Sequence, residues 1–301
     1  MSDDRLTLAD LPLTLPLLRP GTPVLVRPGN RVHIGSDPRR SLLIDLPQAV
    51  RASDVAELIR ALIEPHSRGQ MVRRARAIGL SGSEFAGIVG QLLAAGRAAS
   101  TTGLARAARL RIRIHGRGPL SDLLAASLTE VGLTPQRSSR RPADLDAVGR
   151  WDANLVVLSD FLVHEPAIVT ALNAARIPHL PVLVRDGVGI VGPLVLPGMS
   201  SCMRCADHHR TMLDPDWPLL AAQLLRQPGY ATTGIIRSTA ALAHEQIEQI
   251  ASALITGTTS SALPQLFNRA LEFRGDPARL EITEWPPHPC CDCRPPIAAA
   301  G

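Results

Sequence analysis

The cysteines are the residues of this chain whose type and spacing most directly define a chemistry, and all five lie in two places. Cys202 and Cys205 stand in Pro197-Gly-Met-Ser-Ser-Cys-Met-Arg-Cys205, and Cys290, Cys291 and Cys293 in His288-Pro-Cys-Cys-Asp-Cys293. A Cys-x-x-Cys turn lets two thiolates grip one tetrahedral ion, and a second cysteine group far along the chain completes a four-sulfur site. A redox Cys-x-x-Cys fits less well, because it normally opens a helix after a strand and works without a second cluster. A structural disulfide needs an oxidising compartment, and the sequence carries no sign of export. The spacing therefore predicts a structural zinc ion on Cys202, Cys205 and two of the last three cysteines. Cys290 with Cys293 would repeat the Cys-x-x-Cys, whereas Cys291 with Cys293 would make a Cys-x-Cys, and spacing alone does not choose. A closed four-thiolate shell activates no water; it pins the C-terminal tail onto residues 197–210.

A second constellation is a strand, a glycine turn and a helix: Leu110-Arg-Ile-Arg-Ile114, then His115-Gly116-Arg117-Gly118-Pro119-Leu120-Ser121, then a helix over 122–132. Glycines at such a turn let backbone amides approach a phosphate at the helix N-terminus. Here Ser121 stands where a third glycine belongs, and residues 134–141 hold no acidic group for a ribose. The same Gly-x-Gly also serves simply to pack a helix on a sheet. Asp160 ends the apolar run Asn154-Leu-Val-Val-Leu158 and would face a crevice, where it would meet a metal ion or substrate, or else cap a helix. Gly116, Gly118 and Asp160 are thus the candidate nucleotide residues, with ATP and Mg²⁺ as the cofactor they would hold.

The elements around these residues follow from periodicity. Residues 17–46 alternate short apolar runs with turns at Pro28-Gly29-Asn30 and Asp37-Pro38, which predicts two or three antiparallel strands. Val55, Leu58, Ile59 and Leu62 recur at helical spacing behind a Ser53/Asp54 cap, a shorter helix covers 70–78, and Ser81 or Ser83 caps a third that ends at Gly96. Together these predict a winged-helix-like module over 1–96. Residues 97–108 read as a linker, and 109–301 as an α/β domain with a mostly parallel sheet and helices on both faces. In it, helices are expected at 165–175, 219–225 and 232–256, and strands at 181–185 and 188–192 around an Asp186-Gly187 turn. Strands also fall near 265–273 and 278–284. Residues 206–218 read as irregular, with His208 and His209 solvated.

All 32 basic residues are arginine, so no lysine serves as phosphate clamp, Schiff base or acceptor, and the formal charge is +5. The arginines are dispersed, which fits an acidic peptide as well as nucleic acid. The third helix offers little beyond Gln91 for base readout, which counts against DNA. With no apolar run of membrane-spanning length and no positively charged start, a cytoplasmic protein is expected.

Gly192-Pro-Leu-Val-Leu-Pro-Gly-Met-Ser-Ser-Cys202-Met-Arg-Cys205-Ala-Asp-His-His-Arg, Asp214-Pro-Asp-Trp-Pro and the final Trp-Pro-Pro-His-Pro with its cysteines resemble actinobacterial members of the ThiF/MoeB-like superfamily. These are the leader-peptide-binding, cyclodehydratase-type proteins of azole-modified peptide (TOMM, bacteriocin) biosynthesis. Leu18-Arg-Pro-Gly and Asp37-Pro-Arg-Arg resemble the PqqD-like recognition element of that group. The resemblance implies a Rossmann-like ThiF domain, zinc on Cys202, Cys205, Cys291 and Cys293 because the family tail reads His-Pro-x-Cys, and a homodimer. It implies precursor-peptide binding and a YcaO-type partner that supplies the ATP chemistry. Adenylating members of the superfamily use an acidic ribose motif, an Asn-x-x-Arg element and a lysine. This chain lacks the first and last, and its Asn173–Arg176 string falls after Asp160 rather than before it. A scaffold that binds a leader peptide in a groove of residues 23–46 and 81–96 is therefore expected, with strand addition as the mode. A ThiF-type adenylyltransferase is the alternative, and a zinc-stabilised winged-helix DNA-binding protein the third.

Overall fold

The turn Pro28-Gly29-Asn30 reverses the chain between two short strands, and its last residue also organises the helix that follows. In the computed structural model, which describes residue 9 and residues 11–99, 110–140, 146–256 and 264–293, the chain divides into two units, Met1–Ala105 and Arg106–Gly301.

In the first unit β1 (Leu17–Leu18) is followed by β2 (Val24–Arg27), β3 (Arg31–Ile34) and β4 (Leu42–Asp45), the last three forming an antiparallel sheet in that order. Helices α1 (Ala52–Arg60), α2 (Arg68–Ala77) and α3 (Gly82–Ala94) follow, and β5 (Ala98–Ala99) returns to pair with β1. Val32 and Ile34 of the sheet meet Val55, Ile59, Phe85 and Leu92 in one hydrophobic core.

The expected α1 cap is not the one used. Arg51 occupies the cap position without a side-chain bond. Asn30, held at φ 55, accepts the Ala52 amide at 3.0 Å and donates to the Pro47 and Val50 carbonyls at 2.9 and 2.8 Å. The cap comes from a turn over twenty residues away, which a local motif search does not see. Ser81 caps α3 as expected, in a reciprocal box with Glu84, whereas α2 starts behind Ser67. Of the expected linker, 98–99 form β5 and 100–108 lie outside the described residues.

The second unit is built on a seven-stranded sheet. Its elements are β6 (Ile112–His115), α4 (Pro119–Glu130), β7 (Gln136–Ser138), α5 (Asp146–Gly149), β8 (Leu155–Ser159), α6 (Pro166–Ala174), β9 (His179–Arg185) and β10 (Val188–Val191). Then come α7 (Met203–Leu213), α8 (Trp217–Gln223), α9 (Thr233–Thr256), β11 (Arg269–Gly275) and β12 (Ala278–Glu284). The sheet order is β12-β11-β10-β9-β8-β6-β7. Strands β6 to β9 pair in parallel, and the ladders from β9 to β12 are antiparallel. β11 thus runs with the parallel set, and β10 and β12 against it.

β8 is buried on both faces. Leu155 and Val157 join the core under α4 and α9, while Val156 and Leu158 join the one under α6. That is the continuous apolar run a covered parallel strand requires. Asp186 and Gly187, at φ 50 and 79, form the two-residue turn between β9 and β10. Residues 206–213, expected to be irregular, are helical in α7. Its buried residues are Cys205 and Ala206, so thiol and methyl stand where aliphatic periodicity would have signalled a helix.

Asn30→Ala removes an acceptor and two donors at once. It is expected to lower the unfolding free energy by about 1–3 kcal/mol, read as a lower urea midpoint at unchanged slope.

Candidate functional site

Four of the five cysteines converge. Cys202 caps α7 and Cys205 lies in its first turn, while Cys291 and Cys293 come from the turn that follows Trp285-Pro-Pro-His288-Pro. Their sulfurs all lie within 4.8 Å of one another, with Cys202–Cys205 at 3.9 Å, Cys202–Cys291 at 3.7 Å and Cys205–Cys293 at 3.5 Å. Tetrahedral thiolates about 2.3 Å from a common ion stand about 3.8 Å apart, so the cluster has the dimensions of a four-sulfur metal site. These separations are far beyond a disulfide bond. Cys290 is exposed and lies outside the cluster, its amide bonded to His288 Nδ1.

The Cys-x-x-Cys does open a helix, as a redox pair would, but here two further sulfurs complete its surroundings. Burial pushes the Cys202 thiol up to about 12 and raises Cys293 as well. Burial also opposes ionisation of Cys205, yet hydrogen bonds from the Cys202 and His288 backbone hold it below its ordinary value. Cys202 and Cys293 thus resist ionisation without a cation to compensate them.

His208 and His209 are not solvated loop residues. His208 stacks on His288 at 5.0 Å, His209 meets it edge-on at 4.9 Å, and His209 Nε2 lies 2.9 Å from the Pro286 carbonyl. Arg204 reaches Asp292 at 2.8 Å. The tail is therefore held along the length of α7, beside the cysteines as well as at them.

Gly116, Gly118 and Asp160 are also brought together, at the carboxyl ends of β6 and β8. The connections from β6 and from β8 leave to opposite sides here, which is where ligands bind in open α/β sheets. What occupies the α4 N-terminus is the Asp160 carboxylate: Oδ1 accepts the Leu120 amide at 2.9 Å and Oδ2 the Ser121 amide at 3.2 Å. Ser159 Oγ donates to Oδ2 at 3.1 Å, and the carboxylate is buried. A Cβ at residue 118 would stand 2.6 Å from Asp160 Oδ1, and one at residue 116 would stand 2.3 Å from the Ser159 carbonyl. The two glycines are thus needed for the close packing of this turn against the end of β8. Ser121, in the third glycine's place, closes the turn by donating to the Gly118 carbonyl at 2.8 Å and accepting its amide at 3.1 Å. Asn173 and Arg176 lie at the C-terminal end of α6, toward the amino ends of the strands.

Sequence reasoning missed a polar group beside this turn. His115, His164 and Glu165 are buried; His115 Nδ1 meets Ser138 Oγ at 3.0 Å, and Glu165 Oε1 pairs with Arg226 at 3.0 Å. Among the described residues His115 Nε2 and Glu165 Oε2 have no hydrogen-bond partner. Burial lowers His115 to about 4; burial and then neighbouring His115 lower His164 to about 3; burial lowers His179 to about 4. A cavity of about 290 Å³ adjoins His164, with Val169, Met203, Arg210 and Leu225 among its walls. These residues are scattered through the sequence, and only the crossover geometry collects them.

In the first unit β4 pairs with β3 on one edge, and its other edge has no ladder partner among the described residues. Of the three strands in that sheet, β4 is the one α3 packs against most, while α1 covers β2 and β3. Leu25, His33 and Leu43 are in register across the sheet, with Leu25 exposed and the other two partly so.

Solved structures of MccB and of heterocyclases share this fold. Over 93% of the chain and 99% of the other, it superimposes on E. coli MccB, solved with ATP, at a TM-score of 0.60 and 12% identity. The heterocyclase TruD aligns over 93% of this chain at a TM-score of 0.65 and 15% identity, as does a heterocyclase in complex with substrate and cofactor over 94%. This chain spans 43% and 40% of those two longer chains. No protein-family model matches the sequence, and neither does any curated protein. No single helix among the described residues is long and apolar enough to cross a membrane.

Metal analysis of the purified protein is expected to give about one ion per chain, falling to near zero in Cys291→Ser and unchanged in Cys290→Ser. Retention of metal by Cys291→Ser would remove Cys291 from the site. The three buried histidines are neutral in the fold and titrate near 6.5 when unfolded. Below that pH the unfolded chain binds the extra protons. Their contribution is therefore complete above pH 6.5 and is lost as pH falls toward about 4, by up to about 1.4 kcal/mol per pH unit for each. His164→Phe should flatten the slope of unfolding free energy against pH between about 6 and 4.5.

Proposed function

We propose that this chain binds the leader of a ribosomally made precursor peptide and presents it to a separate YcaO-type cyclodehydratase, with a structural zinc ion on Cys202, Cys205, Cys291 and Cys293. The observation that carries the scaffold reading is the Asp160 carboxylate on the α4 N-terminus. A nucleotide phosphate arriving there would have to displace an internal anion that already holds two backbone amides. The peptide reading is supported by fold likeness across both units to MccB, also solved in complex with N-formylated MccA, and to a heterocyclase solved with its substrate. The remainder of that longer heterocyclase chain has no counterpart in these 301 residues; in this proposal a partner supplies it. The β4 edge next to α3, unpaired among the described residues of a winged-helix-like module, is where the leader adds as a strand.

The ThiF-type adenylyltransferase remains the second reading because MccB, matched over almost its whole length, was solved with ATP. The two separate in one pair of measurements. Titration of ATP with Mg²⁺ into the metal-replete protein is expected to give no heat at millimolar nucleotide, whereas binding lost in Gly118→Asp would establish the enzyme instead. Amide exchange with precursor peptides encoded beside this chain should then slow at Leu42–Asp45 and leave the opposite edge strand, Val24–Arg27, unchanged. Protection at Val24–Arg27 alone would place the peptide elsewhere.

A further inference from the structure

The cavity of about 290 Å³ beside His164 lies between α6, α7 and α8, and neither Gly116, Gly118 nor Asp160 is among its walls. Most of its lining is apolar: Val163, Val169, Met203, Pro218, Ala221 and Leu225. α8 forms one wall without burying a residue of its own, so an occupant would supply that helix with apolar contact. One wall residue is a fixed cation. Arg210 Nη1 donates to Asp207 Oδ1 at 3.1 Å, and the guanidinium lies 5.1 Å from the Trp217 ring and 5.2 Å from the Trp285 ring. Its Nε and Nη2 have no hydrogen-bond partner among the described residues.

The charge around Arg210 is not balanced locally. Asp207 Oδ1 is shared with Trp217 Nε1, which donates to it at 3.1 Å. Arg185, partly buried at the end of β9, is held below its ordinary pKa by burial and then by the Arg210 charge. Asp186, Glu272 and Asp207 act on Arg185 in the other direction, but Asp186 is exposed and Glu272 is bonded to Arg274 at 3.2 Å. Arg204, the other basic wall residue, is paired with Asp292 at 2.8 Å. His164 is neutral there, burial above all lowering it to about 3.

We propose that this cavity binds a small apolar carboxylic acid as its anion, with the carboxylate on the Arg210 fork and the hydrocarbon among Val163, Val169, Met203 and Ala221. A planar guanidinium offers paired donors that match a carboxylate, and an apolar cavity with one convergent charge is the usual build of a small-molecule site. At about 30 Å³ for each water-sized group, the volume admits about ten non-hydrogen atoms, the size of octanoate. A neutral amide of the same shape loses the charge-assisted bonds, and an amine meets Arg210 as a like charge. The inference goes beyond leader binding, which is assigned to the first unit, and it stands or falls separately from that reading.

Calorimetric titration of octanoate into the full, metal-loaded chain tests it, with octanamide and octylamine as controls. Octanoate is expected to bind at about 1 mM or tighter, octanamide at least about tenfold more weakly, and octylamine not at all. With the methionine methyls labelled, octanoate should move the Met203 resonance and leave that of Met71, in the core of the first unit, where it is. Arg210→Gln should weaken octanoate by at least about tenfold and leave octanamide unchanged. Ala221→Phe fills the cavity from a partly exposed position and should abolish binding of both, with metal content and thermal unfolding unchanged. Lack of octanoate binding at about 10 mM, octanoate and octanamide bound alike, a Met203 resonance that does not move, or binding indifferent to Ala221→Phe would each overturn the assignment.

Discussion

The α/β unit depends on one carboxylate. Asp160 leaves the end of β8 at φ 68 and turns its side chain onto the first turn of α4. Two backbone amides that the helix cannot satisfy internally are thereby paired with a buried negative charge, which the helix dipole favours. Charge-assisted bonds of this kind contribute about 1.5–3 kcal/mol each. They tie the first crossover of the sheet to the second, and the bare backbones at Gly116 and Gly118 are what allow the approach. The two amides at this helix start are bonded to the protein's own side chain.

The second organising constraint acts at the other end of the unit. The last described residues lie against α7, which has a sparse apolar face of its own. Sulfur, imidazole and an Arg204–Asp292 pair hold the two together. Side chains that would ordinarily face solvent become a joint because the cysteines bring them within reach. A helix poor in aliphatic residues is thus stabilised by what is fastened to it.

Much of this was legible in the sequence, and the reasons for the rest are specific. Strands such as β8 and the β9–β10 hairpin announce themselves by continuous apolar residues or an Asp-Gly turn. The Ser81–Glu84 box announces α3 in the same local way. The four-cysteine group follows from spacing, but its geometry was needed to separate Cys291 from Cys290. α7 was missed because its inward face is thiol and methyl. Asn30 was missed as a cap because capping was sought in the preceding residues. The buried histidines at the crossover were invisible for a different reason: His115 and His164 stand 49 positions apart, and nothing in either local sequence marks it as buried.

The pairing of β1 with β5 has a topological consequence. Leu17 lies opposite Ala99 and Leu18 opposite Ala98, so the first and last strands of the first unit lie side by side. The pairing holds the last described residues of the unit against its first strand, so the path of the chain out of α3 is set by residues that precede the whole sheet.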